Sequence, residues 1–570
     1  MARDSEWKDI KLSAKVFGHL SQGLYRTPAG AIKELISNAF DADSPSVKIH
    51  TGFPRFDSFS CEDSGSGISR TEFDRLMDMG IGTSLKRTHA SGTTPSGRRM
   101  IGRLGIGLLS IAQICTEFDL ISHHAQSQQA FKVTIRFPPY TKEEIDKLTK
   151  RSKNAVIRGG QFRVTSLEFD SSALGVKIYT KHLRQSFRKR MRNLDRYGNL
   201  RKFKSKGPYS SFDCYMKAMY EDPTKVQSLS FTSDYDQLLF GLALAPPLPY
   251  YNGDNNAMLQ IPTFEDYQAR LLANEFEVTV DNLQLKHPIK LPSTREKTLA
   301  RDCEITRSET RTFQLVDGPH EEKIDIDRFE FQVKDSDVKF SGYPISYHNK
   351  NVGGRPLKFS GYLFQQTSRL YPREIQGVLV RIRDIAIGSY DPGFMNYPFQ
   401  EGPRFSMVSC ELIAEEGFED ALNIDRDSFN GLDSHYLRMQ AYVYALLHSV
   451  IFPETWKEEK KRNKARRSSQ KGTRRQAFLR SLRALDGTYS RIERVAANES
   501  DRPVQFIPDN KRIIINVNNP LIQRIMKRRK YEDLAEELAV VFEKVASERS
   551  MSKQRELFYT LLGNVLDNQP

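Results

Sequence analysis

The sequence predicts an α/β fold, and three observations carry that prediction. Ala31, Ile32, Leu35, Ile36 and Ala39 recur at helical spacing, so residues 29–42 read as an amphipathic helix laid on a core. Residues 47–50 and 59–62 follow as short runs that read as strands, the second ending in a glycine-rich turn. Far downstream, between about 236 and 452, β-rich runs such as 276–280 and 329–333 alternate with glycine and proline turns before helical sequence at 434–451. A chain of 570 residues exceeds what one core supports. Five segments are expected: 1–185, a basic helical connector at 186–235, an α/β unit at 236–452, a basic linker and helix at 453–500, and a C-terminal module at 501–570 that runs from strand to helices.

The first helix carries the most pointed chemistry. Glu34, Asn38 and Asp41 lie three and four residues apart, which places them on one face. A carboxylate one turn before a carboxamide suits nucleotide hydrolysis: the carboxylate orients and deprotonates a water, and the amide oxygen holds Mg²⁺ beside the phosphates. A solvated polar face presents the same triplet. The second element is Asp63-Ser64-Gly65-Ser66-Gly67, an acidic residue closing a strand ahead of two glycines. It can accept a hydrogen bond from a flat base edge while the glycines let that base approach the backbone, although a hairpin turn uses the same residues.

The third element, Gly102-Arg103-Leu104-Gly105-Ile106-Gly107, precedes an apolar run at helical spacing (Leu108, Leu109, Ile111, Ala112, Ile114). Glycines opening a helix offer N–H groups and a positive dipole end to phosphate. The spacing Gly-x-x-Gly-x-Gly differs from a dinucleotide fingerprint. Between the second and third elements, residues 80–101 have the composition of a mobile lid, with Thr83, Ser84 and Lys86 placed to meet a nucleotide.

Ordered this way, the three motifs resemble the GHKL superfamily of gyrase B, the large heat-shock chaperone, histidine kinases and MutL, over roughly residues 12–182. The resemblance implies a Bergerat-type α/β sandwich that binds ATP and Mg²⁺ in segment 1–185, with 80–101 as its lid. It makes Glu34 the general base, Asn38 the Mg²⁺ ligand and Asp41 a helper near the water or lid. Asp63 would take the adenine amino group, with Gly65 and Gly67 shaping the pocket, and Gly102, Gly105 and Gly107 would wrap the triphosphate. The family's closing Gly-Thr pair has its counterpart at Gly175-Val176, where valine replaces threonine; Thr180 and Thr165 are the nearby alternatives. Residues 422–427, Leu-Asn-Ile-Asp-Arg-Asp, are similar to the loop by which the chaperone's middle domain sends an arginine to the terminal phosphate, which makes Arg426 that residue and 236–452 the transducer. Residues 377–387 resemble a strand of that middle domain. In the family, two ATPase domains often pair into a clamp and exchange an N-terminal segment, here residues 1–20.

Composition bounds the rest. Five cysteines are scattered, with no pair at metal-ligand or redox spacing, and read as isolated thiols of a reducing compartment. The charged N-terminus does not resemble a secretion signal, no apolar run is long enough to span a bilayer, and a cytoplasmic protein is expected. The net charge of +15 invites a polyanion. Two basic runs, one opening at Arg184 and closing at Lys206, the other from Lys457 to Arg475, suit backbone-directed nucleic-acid contact; solvated faces or linkers have the same composition. The reading is an ATP-hydrolysing conformational machine, a dimeric clamp on nucleic acid in a repair or defence setting. A chaperone-like ATPase acting on protein clients and a nucleotide-responsive scaffold without turnover are the alternatives.

Overall fold

The computed structural model describes residues 6–13, 27–78, 93–98, 100, 107–137, 156–192, 207–220, 228–251, 257–291, 303–317, 320–333, 339–423, 428–457, 460, 491–498, 502–507 and 511–520, with residue 93 to 100 interrupted only at 99 and short pieces between 522 and 554. The chain divides into two units, residues 1–455 and 456–570.

The first unit holds two large sheets. Nine strands form the first, in the order β1-β6-β5-β4-β7-β3-β2-β8-β9. They are β1 (Lys8–Ser13), β2 (Ser46–His50), β3 (Phe59–Asp63), β4 (Cys115–His124), β5 (Gln129–Arg136), β6 (Val156–Leu167), β7 (Gly175–Leu183), β8 (Glu277–Val280) and β9 (Leu283–Gln284). The two strands expected after the first helix are β2 and β3, an antiparallel pair with Val47 opposite Asp63. Residues 276–280, expected in the downstream α/β unit, instead supply β8, parallel to β2 with Val47 opposite Val278. Val278 and Val280 are fully buried, and that burial draws the segment back across more than two hundred residues of sequence. Strand β1 pairs with β6 of its own chain.

Helix α1 (Pro28–Asp41) begins where the residues dictate: Thr27 accepts a hydrogen bond from the Gly30 N–H at 3.1 Å and Pro28 takes the first turn, where its missing donor is harmless. The expected amphipathic helix is in fact enclosed on nearly every side. A later helix, Asp234–Leu244, packs against it closely enough that a Cβ on Gly241 would lie 2.9 Å from Ala29 Cβ. The basic connector is not a free spacer. Its described part includes helix Gln185–Met191, whose arginines serve the fold: Arg184 and Arg188 donate to the carbonyls of Ala112 and Phe56, Arg192 to that of Arg55, and Arg190 pairs with Asp234.

The second sheet has seven strands, ordered β10-β13-β14-β15-β18-β16-β17. These are β10 (Cys303–Arg307), β13 (Phe329–Val333), β14 (Lys339–Val352), β15 (Arg355–Gln366), β16 (Gly377–Ile382), β17 (Ile385–Asp391) and β18 (Val408–Glu416), while β11 (Arg311–Asp317) and β12 (His320–Ile326) make a separate hairpin. Residues 377–387, read as a single strand, are two: β16 and β17 fold back at Arg383-Asp384. The helix Ser434–Leu446 covers the sheet, with Asp433 capping its first amides. Cys61, Cys115 and Cys410 are buried free thiols, and Cys214 is an exposed one.

In the second unit, β21 (Arg512–Asn516) is the strand expected there, but it lies between β19 (Arg491–Val495), which falls in the presumed linker and helix, and β20 (Val504–Ile507). The described residues between 538 and 546 are helical, with Val540 and Val541 buried and Phe542 exposed. Among the described residues, no helix is long and apolar enough to cross a membrane.

Candidate functional site

Two of the three sequence motifs meet on α1, together with the turn that follows the third. At its C-terminal end, the Asp63–Gly67 turn is held by the Ser66 N–H donating to the Ala42 carbonyl at 3.1 Å, and by the Ser64 N–H donating to Ser44 Oγ at 3.0 Å. At its N-terminal half, Ser110 Oγ donates to the Ala31 carbonyl at 2.8 Å. Ser110 belongs to the segment that follows the last glycine of the third motif. That segment, Gly107–Gln113, is a 3₁₀ helix rather than the expected α-helix.

The polar face of α1 is not solvated. Glu34 is 3% exposed and Asp41 7%, and Asn38 is half-buried between them. Carboxylates are rarely buried without a task or a partner, so burial removes the bland reading of the triplet as a surface face. The same helix buries Lys33, whose Nζ donates to the Ala386 carbonyl of β17 at 3.2 Å.

Asp63 ends β3 with its carboxyl accepting the N–H groups of Gly65 (2.9 Å) and Val176. Burial is the largest influence on it and outweighs those amides, so its pKa is pushed up to about 6. Close backbone approach surrounds it. Gly175 has φ +112°, and a Cβ there would fall 2.1 Å from the Asp63 carbonyl oxygen; a Cβ on Gly67, at φ +75°, would fall 2.4 Å from the His123 carbonyl oxygen. Only glycine fits either position. The residues expected to stand for the Gly-Thr pair therefore do lie against Asp63. Val176 contributes its N–H and no hydroxyl. Thr180 offers no substitute: its hydroxyl donates to the Glu117 carbonyl and accepts the His182 N–H at 2.9 Å.

Of the expected lid, residues 93–98 form a turn fixed to the domain. Arg98 donates to the carbonyls of Ser44 and Asn274, both at 2.7 Å, and lies over the rings of Phe40 (4.9 Å) and Phe276 (5.5 Å). Ser96 bonds Asp43 through its hydroxyl and its N–H. Thr83, Ser84, Lys86, Gly102, Gly105 and Arg426 lie outside the described residues, as does most of each basic run. Gly107 opens the 3₁₀ helix. Sequence reasoning missed Lys33, Ser110 and Arg383, which act through backbone carbonyls remote in sequence and so leave no motif.

Asn38 offers a hard oxygen donor between two buried carboxylates. That donor set suits Mg²⁺, which keeps most of its waters and is shared with phosphate oxygens. Among the described residues, no three His, Cys, Asp or Glu side chains form a self-sufficient metal cage.

A helix bearing buried Glu34 and Asp41, with the turn that follows Asp63 bonded to its C-terminal end, is an arrangement that suits a nucleotide-binding domain. Comparison of the sequence with known families agrees: residues 25–172 match the family described as "Histidine kinase-, DNA gyrase B-, and HSP90-like ATPase". Over residues 25–172 the chain is therefore similar to GHKL-type ATPase domains. Among curated proteins, "Putative type II restriction enzyme HgiDII" of Herpetosiphon aurantiacus is 32% identical over 118 residues. That match spans 20% of this chain and 18% of the relative, so the two share about a fifth of their lengths.

Proposed function

We propose that the protein is a Mg²⁺-dependent ATPase that works as a conformational machine, a dimeric clamp associated with nucleic acid. The observation that carries the hydrolytic reading is the burial of Glu34 on the same helix face as Asn38 and Asp41. A nucleotide sensor without turnover has no use for a buried base in that place. Adenine would lie beside Gly65, Gly67 and Gly175, its amino group donating a hydrogen bond to Asp63. Asn38 would hold Mg²⁺, which would supply charge neutralisation at the phosphates. Glu34 takes the proton of the attacking water, Asp41 supports that water, and Arg426 meets the terminal phosphate from the middle domain, where a guanidinium fork suits phosphate oxygens.

Support for nucleic acid comes from the net charge of +15 and from the relative named as a restriction enzyme. The described arginines of the first basic run give less, since they are engaged within the fold.

The test is steady-state ATP hydrolysis by the full chain and by Glu34→Ala, each with and without duplex DNA. Hydrolysis lost in the variant and stimulated by DNA supports both parts of the proposal. Glu34-dependent hydrolysis indifferent to DNA, with suppression of client aggregation, would move the reading to a chaperone-like ATPase. ATP binding without turnover would leave a switch.

A further inference from the structure

We infer that Lys33 is a positioning residue for the hydrolytic step: through it the β16–β17 hairpin of the second sheet holds the helix that carries Glu34. This rests on the ATPase reading above. Lys33 precedes Glu34 on α1 and is 5% exposed. A lysine is almost never enclosed unless its ammonium has a partner, because the charged head loses its water. Here the ammonium donates to the Ala386 carbonyl of β17 at 3.2 Å, across 353 positions of sequence. An apolar side chain would pack α1 without that desolvation; the ammonium ties the helix to one particular strand.

The acceptor is itself held. The Ala386 N–H donates to the Ala245 carbonyl at 3.0 Å, and Arg381 of β16 donates to the Leu244 carbonyl at 2.8 Å. The hairpin thus grips the C-terminal end of the helix Asp234–Leu244. That helix packs in turn on α1, where Gly241 lies against Ala29. At the hairpin's turn, Asp384 pairs with Arg270 of the helix Pro262–Ala273 at 2.6 Å. The hairpin, the helix Asp234–Leu244 and α1 therefore close a ring of contacts, and Lys33 is its member one residue from the base. Lys33 acts by fixing the helix on which Glu34 and Asn38 are carried. A small displacement of a catalytic group costs turnover more than it costs ground-state binding.

The test uses the full chain and the variants Lys33→Met, Lys33→Arg and Asp384→Asn. Lys33→Met keeps the stem and removes the donor. It should lower kcat roughly tenfold, the size of one hydrogen bond from a charged group, with ATP affinity by calorimetry unchanged. Lys33→Arg, which can still donate to the carbonyl, should restore most of that loss. Asp384→Asn keeps a residue suited to the left-handed turn (φ 69°) and loosens the hairpin from Arg270, so it should lower kcat by less. Hydrogen exchange without nucleotide reads the contact by itself: Lys33→Met should speed exchange at residues 385–387 and in α1 together, while β14 and β15 keep their protection. Wild-type kcat in folded Lys33→Met, equal loss of kcat and affinity, or exchange raised in α1 alone would overturn the inference. If Lys33→Met does not fold, an unaltered kcat in Asp384→Asn overturns it. A wild-type chain without turnover would instead sink the ATPase reading, and exchange at residues 385–387 and in α1 would still show whether Lys33 joins them.

Discussion

Arg381 and Glu411 form an ion pair at 2.8 Å with both side chains essentially inaccessible, 1% and 0% exposed. Burial alone would raise the Glu411 pKa, but His287 and Arg381 beside it, with hydrogen bonds from Arg381 and Tyr250, hold it down to about 2. Tyr362 and Tyr390 donate to its other oxygen at 3.0 and 2.7 Å, and Arg381 also donates to the Leu244 and Asp384 carbonyls. Leu244, Tyr250 and His287 are thereby tied to the second sheet through one buried polar network.

Glu411→Gln leaves Arg381 buried without its counter-charge and should destabilise the first unit by about 3–5 kcal/mol in denaturant titration. The acid limb follows from the same pair. A depressed native pKa contributes stability above the ordinary carboxylate range that is lost as pH falls through about 2, so the variant should show a flatter decline below pH 4.5.

Asp63 carries the opposite sign. Its raised pKa means that its protonated form is favoured in the fold, a contribution present below its ordinary value of 3.8 and lost as pH rises through about 6. Asp63→Asn should therefore gain stability relative to wild type between pH 4 and pH 7. ATP affinity should move the other way in wild type, falling as pH drops below about 6 because the protonated carboxyl is a poorer acceptor. Binding titrations across that range, with Asp63→Asn weak and flat, check both.

Gly175→Ala tests the close approach of β7 to Asp63. A methyl group 2.1 Å from the Asp63 carbonyl oxygen forces the two strands apart. The expected cost is roughly 1–3 kcal/mol by thermal or chemical melting, with ATP affinity reduced further than stability alone explains. Normal affinity in a folded variant would remove Gly175 from the adenine pocket.

Arg98→Ala should free residues 93–98 without unfolding the domain, because it removes two carbonyl contacts and the two ring contacts that hold that turn. Hydrogen exchange at Gly97 and Arg98 should accelerate at least several-fold while the strands of the first sheet keep their protection. Unchanged exchange would mean that Ser96 and Asp43 hold the turn by themselves.

Much of the proposed nucleotide site was legible because its parts are local. Glu34, Asn38 and Asp41 share a face through helical spacing alone, and Asp63 through Gly67 announces a strand end and a turn within five residues. What the spacing could not decide was whether that face met water. The answer came from the fold around the helix, which leaves Glu34 and Asp41 buried. The arginines of residues 184–192 show the same limit: composition marks them as a charge run, and only the neighbouring carbonyls reveal that they bind their own domain.

By itself, the sequence determined the α/β class, the first helix and its carboxylates, the β2–β3 pair and the glycine positions, since these rest on periodicity and backbone sterics within a few residues. Tertiary structure alone decided that β8 returns to pair with β2, that residues 377–387 fold into a hairpin, and that Lys33 ties that hairpin to the first helix while Arg383 ties it to the Met100 carbonyl. The physical reason is range. Strand partners are chosen by burying Val278 and Val280, and buried charges by finding Glu411 or a carbonyl, among residues tens to hundreds of positions away.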